Sequence, residues 1–357
     1  VFSNLFLVFF IFLFREKLFL NKKVLFTGIV IFILFQIPHI WLVSTPGSFS
    51  RFTNTAYFSS AYIQKDGTKF QNLPFGDYIY IIFKFSAQYV AYFSPRNLFY
   101  DQDSQLTRSI PSLSVFFTLL FIPFLFGIRK AVMIKEDILK VVYLVILLSP
   151  IPAALNTEPF YTLRVLPMLW GLSIIIALGI LYIWELIKFN FFRIPIFGLV
   201  ITILALSFYT SFFVLWNHER SNLFAYSYVE LAKKINEKND QKFVVDPGRE
   251  FAVYMYILFF KEFDPKQFHK QINPSILENY YQDTKYLGNY DIGNVSIRPI
   301  NWAKDPCRDV IIVGDDLAIS FSHIKEHLLT EIFNIPDING KVVLHGYKSE
   351  KRNKCSD

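Results

Sequence analysis

Apolar runs of membrane-spanning length alternate with short charged loops as far as Trp216, and beyond it the hydrophobicity stops. A bilayer core of about 30 Å is crossed by ~20 residues of helix. Six spans fit the pattern: residues 1–14, 24–43, 113–128, 138–155, 164–187 and 194–216. A long loop, residues 44–112, separates the second from the third. Within it, residues 75–93 are apolar enough for a seventh span, but Asp77, Lys84 and Gln88 fall on one helical face. Placing Lys84 at the bilayer centre would cost ~3 kcal/mol. The pattern therefore predicts a helix lying in the membrane interface.

After Trp216 the periodicities shorten. Residues 226–237 and 251–263 carry helical spacing, while 242–246, 309–313 and 341–345 read as short strands. Alternation of this kind predicts a small sheet flanked by helices. The expected fold class is a polytopic α-helical membrane bundle, residues 1–216, followed by a small α/β domain, residues 217–357.

Composition supports a membrane reading. With 53% hydrophobic residues the chain is too apolar for a soluble enzyme of its size. The net charge of +7 would point to nucleic acid in a soluble protein. Here the basic residues sit in alternate short loops: Arg15, Lys17, Lys22 and Lys23; then Arg129, Lys130, Lys135 and Lys140; then Lys188 and Arg193. That bias sets membrane orientation, so no nucleic-acid partner is expected. The basic loops are expected in the cytoplasm, which makes the protein a multi-pass inner (plasma) membrane protein with residues 217–357 extracytoplasmic.

Most candidate chemistry reduces to structure. Gly314-Asp315-Asp316 could imitate a metal-binding carboxylate pair, but it reads as a strand-exit turn. His323 and His327 have zinc-ligand spacing without a third ligand, so a solvated helix face is expected. Cys307 and Cys355 have no metal spacing, so a zinc site or disulfide framework is unsupported, while a pair between the two stays open. No nucleophile elbow, P-loop or dinucleotide fingerprint occurs. Three arginines stand apart, because Arg51, Arg108 and Arg164 lie in the loops opposite the basic ones. Guanidinium groups bind phosphate in bidentate fashion, which makes these three candidates for holding an anionic lipid headgroup.

Tyr92-Phe93-Ser94-Pro95, then Leu98-Phe99-Tyr100-Asp101 and Arg108, resembles a loop of bacterial membrane glycosyltransferases. These are the dolichyl-phosphate-mannose–protein mannosyltransferase-like enzymes (glycosyltransferase family 39), a group that also holds the aminoarabinose transferases of lipid A. The Pro-bracketed stretch 149–167, in which Arg164 enters the next span, resembles a second of their segments. The resemblance implies a GT-C architecture and a polyprenyl-phosphate-linked sugar as donor. It also implies inverting transfer to an extracytoplasmic acceptor that is a protein, lipid or glycan. Donor-phosphate binding then falls to Arg108, Arg164 and Arg51. A divalent metal (Mg, Mn or Zn) assists some members, though no metal ligands stand out in this chain. The family's catalytic carboxylate lies in a loop near its N-terminus. This chain opens Val1-Phe2-Ser3, apolar from the start and without Met. It therefore reads as a C-terminal portion, inactive alone, with the catalytic residue expected upstream of Val1. The alternative reading is a non-enzymatic flippase-like or scaffold protein whose outer domain binds an envelope partner.

Overall fold

The computed structural model describes residues 2–20, 22–43, 56–58, 63, 70, 73–248, 252–272 and 289–350. It divides into two compact units, Val1–Phe213 and Val214–Asp357, each with its own hydrophobic core.

The first unit is helical: α1 Phe2–Leu13, α2 Arg15–Leu20, α3 Lys22–Val43, α4 Gly76–Ala91, α5 Phe121–Met133, α6 Asp137–Leu148, α7 Leu166–Leu186 and α8 Asn190–Tyr209, with shorter turns between. Three stretches are long and apolar enough to cross a membrane: Lys22–Leu42, Thr162–Leu186 and Phe191–Phe224. The other three expected spans form helices of 12, 13 and 12 residues, short of the ~20 needed. The reasons are local. The expected span 113–128 begins as irregular chain, because Phe116 N–H donates to Leu98 O and the Thr118 hydroxyl to Phe99 O. Its helix then starts at Phe121 and continues to Met133. The expected span 138–155 stops at Leu148, where Pro150 and Pro152 follow. The last span starts earlier than expected, at Asn190, because Pro195 is accommodated within the helix. Beyond Tyr209 it continues as a π-helical stretch, Thr210–Leu215.

Helix α4 corrects the expected polar face. Asp77 is exposed, but Gln88 is 5% exposed and turned into the unit, its amide atoms without a hydrogen-bond partner among the described residues. Tyr78, Ile79, Ile82, Phe83 and Val90 are exposed instead. The outward surface of α4 is therefore largely apolar. Positions 77, 84 and 88 thus meet different surroundings rather than forming one wet stripe: Asp77 is exposed, Lys84 half-buried and Gln88 buried.

Ion pairs gather the basic loops at one end of this unit. Lys17 pairs with Asp137 at the start of α6, and Lys130 at the end of α5 pairs with Glu185 at the end of α7, 3.2 Å apart. Arg164 precedes the opposite end of α7, about 30 Å away along the helix.

Helices α5 and α7 make the closest pairing in the unit. Gly127 and Gly179 permit it, since a Cβ on Gly179 would stand 1.7 Å from Pro123 O and one on Gly127 1.9 Å from Ile175 O. Small residues let helix backbones approach in this way.

The second unit is a six-stranded mixed sheet in the order β2-β3-β1-β4-β6-β5. Its strands are β1 Lys242–Val245, β2 Tyr290–Ile292, β3 Val295–Ile297, β4 Val310–Gly314, β5 Leu329–Pro336 and β6 Val342–Ser349. The central pairs β3-β1 and β1-β4 are parallel and the outer pairs antiparallel. Phe243 and Val245 join a core with Leu231 and Ile235 of α9 (Tyr226–Glu237) and Ile257 of α10 (Val253–Phe260). Val244 points to the other face, packing with Ile312, Ile319 and Tyr347. A further helix, α11, spans Pro265–Gln271. The expected mixed α/β arrangement holds, with α9 at its expected bounds. Helix α10 is shorter than 251–263, β6 runs on to Ser349, and β2, β3 and β5 are additional.

Gly179→Ala is expected to destabilise the first unit by ~1–3 kcal/mol, because the added methyl meets backbone that cannot yield cheaply. Gly198→Ala on α8 has open space around it and is expected to be neutral or stabilising. Thermal unfolding of both variants in detergent measures the contrast.

Candidate functional site

The two segments that carry the sequence signal meet in the first unit. Pro159 leads into Phe160, whose φ of 50° is left-handed, a strained setting for a phenylalanine. Tyr92 holds that turn in place. It is fully buried, its ring packs 5.6 Å from that of Phe160, and its hydroxyl accepts from the Tyr161 N–H at 3.0 Å. Burial raises its pKa despite that bond and the nearby Arg164 and Arg108.

From Tyr161 the chain enters a 3-10 turn, Thr162–Val165, in which Arg164 N–H donates to Tyr161 O at 3.1 Å. Side chains three apart eclipse in such a turn. The Arg164 guanidinium accordingly lies 4.2 Å from the centroid of the Tyr161 ring. Arg108, from the other segment, lies 3.6 Å from the same ring. Two guanidinium groups thus share one aromatic platform, each contact worth roughly 0.5–2 kcal/mol.

Their charges are treated differently. Arg108 is 11% exposed; its Nη2 donates to Asp103 Oδ1 at 3.2 Å and its Nη1 to Glu158 Oε2 at 3.1 Å. Its Nε is buried without a hydrogen-bond partner among the described residues. Burial works against the charge of Arg108, yet hydrogen bonds to Tyr161, Glu158 and Asp103 outweigh it and raise its pKa. Asp103 is 4% exposed and also accepts from the Thr162 hydroxyl at 3.0 Å and the Gln105 N–H at 3.0 Å. Glu158 is half exposed. Arg164 is exposed, and no carboxylate pairs with it among the described residues.

The structure therefore brings Arg108 and Arg164 together, while Arg51 lies outside the described residues. Ala56, five residues further along, forms an antiparallel bridge with Asn156, next to Glu158. Beside the cluster is a cleft of ≈ 460 Å³ lined by Tyr100, Asp101, Asp103, Ser104 and Ser112 among others. Asp101 is tied to Arg96 at 2.7 Å. The sequence pattern singled out the two arginines but did not join them to Asp103, to Glu158 or to Tyr161 as their platform. The available signal was the three-residue spacing of Tyr161 and Arg164 after a proline.

The arrangement does not fit a divalent metal. Both nearby carboxylates are engaged by Arg108, and among the described residues no group of three His, Cys, Asp or Glu could hold an ion. The other candidates resolve into structural roles. Asp315 Oδ1 accepts from the N–H groups of Leu317 and Ala318, closing the strand-exit turn. His323, on helix α12 (Phe321–Glu326), caps that helix with Ser320. Both His323 and His327 stack on Trp302, at 4.1 and 5.1 Å, which corrects the expected solvated face. In the same unit a cleft of ≈ 1070 Å³ is lined by Lys242, Asp291, Ser296, Arg298, Arg308 and Lys348 among others. Arg298 makes a bidentate pair with the buried Asp305 at 2.6 and 2.7 Å. Burial opposes the Asp305 charge, but Arg298 and the Asn301 N–H hold its carboxyl below the usual range.

No family model, curated protein or solved structure matches the chain.

Asp103→Asn is expected to destabilise the first unit by about 3–5 kcal/mol, since it leaves the buried Arg108 without its enclosed counter-charge. Glu158→Gln, at a half-exposed pair, is expected to cost under ~1 kcal/mol. Thermal unfolding in detergent compares the two.

Proposed function

We propose that this chain belongs to an integral-membrane glycosyltransferase of GT-C type, moving a sugar from a polyprenyl-phosphate donor to an extracytoplasmic acceptor. The observation that carries the reading is the pairing of Arg108 and Arg164 on Tyr161, directly before the membrane-length stretch Thr162–Leu186. A lipid-linked donor keeps its chain in the bilayer while its headgroup reacts in water. Its phosphate therefore belongs at the end of a span.

As the sugar leaves, the polyprenyl phosphate gains negative charge, which a positioned guanidinium stabilises more in the transition state than before it. Arg164 is the primary contact in this proposal, because among the described residues no carboxylate already matches its charge. Arg108 supports it from the other side of the shared platform. The reading extends to membrane placement. The basic loops joined by Lys17–Asp137 and Lys130–Glu185 take the cytoplasmic side, and the Arg164 end of α7 the outer side. In this proposal the short helices complete a polytopic bundle, and the cleft of the second unit positions the acceptor.

Transfer assayed with full-length protein in membranes, using a radiolabelled polyprenyl-phosphate sugar, tests the reading. Arg164→Ala is expected to lower transfer roughly 100-fold with little change in thermal stability. Unchanged transfer would reduce the cluster to a clasp between loops and favour the non-enzymatic alternative.

A further inference from the structure

We infer that Glu158 is a built-in stand-in for the phosphate: its carboxylate occupies Nη1 of Arg108 and gives way when a phosphate binds. The inference rests on the phosphate-site reading above. It comes from the inequality of the two carboxylates on one guanidinium. Asp103 is enclosed at 4% exposure and accepts from three donors, Arg108 Nη2, the Thr162 hydroxyl and the Gln105 N–H. Glu158 is 50% exposed, and its side chain has Arg108 Nη1 as its one hydrogen-bonded partner among the described residues.

Exchanging Asp103 would strand a buried charge, whereas releasing Glu158 returns a carboxylate to water at small cost. The Glu158 backbone stays in place during such an exchange, since its N–H donates to Asn156 Oδ1 at 3.3 Å. A phosphate that replaced the carboxylate on Nη1 would sit beside the same Tyr161 ring that carries Arg164. It would then meet one newly released guanidinium edge and one unmatched guanidinium. Without a phosphate, Glu158 limits the local positive charge and discriminates against weak anions. The group recognised is a phosphate monoester or diester, whether lipid-held or free.

Calorimetric titration of the full chain in micelles of a phosphate-free maltoside detergent, with farnesyl phosphate and separately with inorganic phosphate, tests the exchange. Glu158→Gln and Glu158→Ala are both expected to tighten binding roughly fivefold, the factor for losing a competing half-exposed pair. Arg164→Ala is expected to weaken it. Tightening toward both probes supports a site for phosphate as such, and tightening toward farnesyl phosphate alone supports a lipid-held phosphate. Unchanged or weaker binding in both Glu158 variants, with Arg164→Ala still weakening it, overturns the exchange and leaves the phosphate site. If the wild-type chain binds neither probe, or Arg164→Ala binds as well as wild type, the phosphate-site reading itself fails.

Discussion

A carboxylate taken out of water has to be matched, and in the first unit the match for Asp103 ties two loops together. Its partners are Arg108 and Gln105 on its own segment and Thr162 on the segment entering α7. Removing water from both charges is expensive, so the pair persists only where geometry satisfies the remaining lone pairs. Three donors on one carboxylate meet that demand. Because Arg108 is fixed in this way, its other edge reaches Glu158 and its face reaches Tyr161. The position of Arg164 follows from Tyr161 through the 3-10 turn rather than from any ion pair of its own. One buried charge therefore orders a surface where a second charge is left unmatched.

The helix pairing below that surface obeys a different constraint. Gly127 and Gly179 set how closely α5 and α7 approach, and Arg164 lies just before α7. Side chains at the glycine positions would push the helices apart and shift the start of α7 relative to the loop that carries Arg108. Helices α3 and α8 contrast with this pair, since none of their membrane-length windows is buried within the chain. A helix apolar on all sides requires apolar surroundings, and among the described residues the chain itself encloses neither window.

Much of this was legible in the sequence because it depends on local pattern. The break at Trp216 separates a helical unit from a sheet-containing one within a few residues of the observed division at Val214. Helix α9 and strands β1 and β4 follow from periodicity alone. Strands β2, β3 and β5 did not, because two are three residues long and the third owes its pairing to a turn. In that turn Asp337 Oδ1 accepts from the Asn339 and Lys341 N–H groups, and Gly340 adopts a φ of 79°. Asn339-Gly340 was the overlooked hairpin signal. The span lengths failed for a related reason. Hydropathy does not register that Phe116 and Thr118 are bonded to Leu98 and Phe99, or that prolines cut the run after Leu148. In the candidate site, charge against the topological trend singled out the arginines. What joins them depends on contacts fifty or more residues apart in sequence, such as Tyr92 with Tyr161, which no local pattern encodes.

The electrostatics of the cluster favour a ligand of one particular charge. Asp103 and Glu158 against Arg108 and Arg164 sum to neutrality, so the site exerts little long-range pull on anions. Its selectivity has to arise at contact. At contact the balance is uneven: one carboxylate is enclosed, one is half exposed, and the unmatched guanidinium is exposed. An anion approaching from the solvent side meets Arg164 first and competes only with Glu158. A monovalent carboxylate would gain nothing by replacing another. A phosphate, with more acceptor oxygens and more charge, can engage both guanidinium groups and repay the displacement. Neutrality at rest and, in the proposed site, preference for phosphate on contact thus follow from the two ionic contacts of Arg108 and the exposed guanidinium of Arg164.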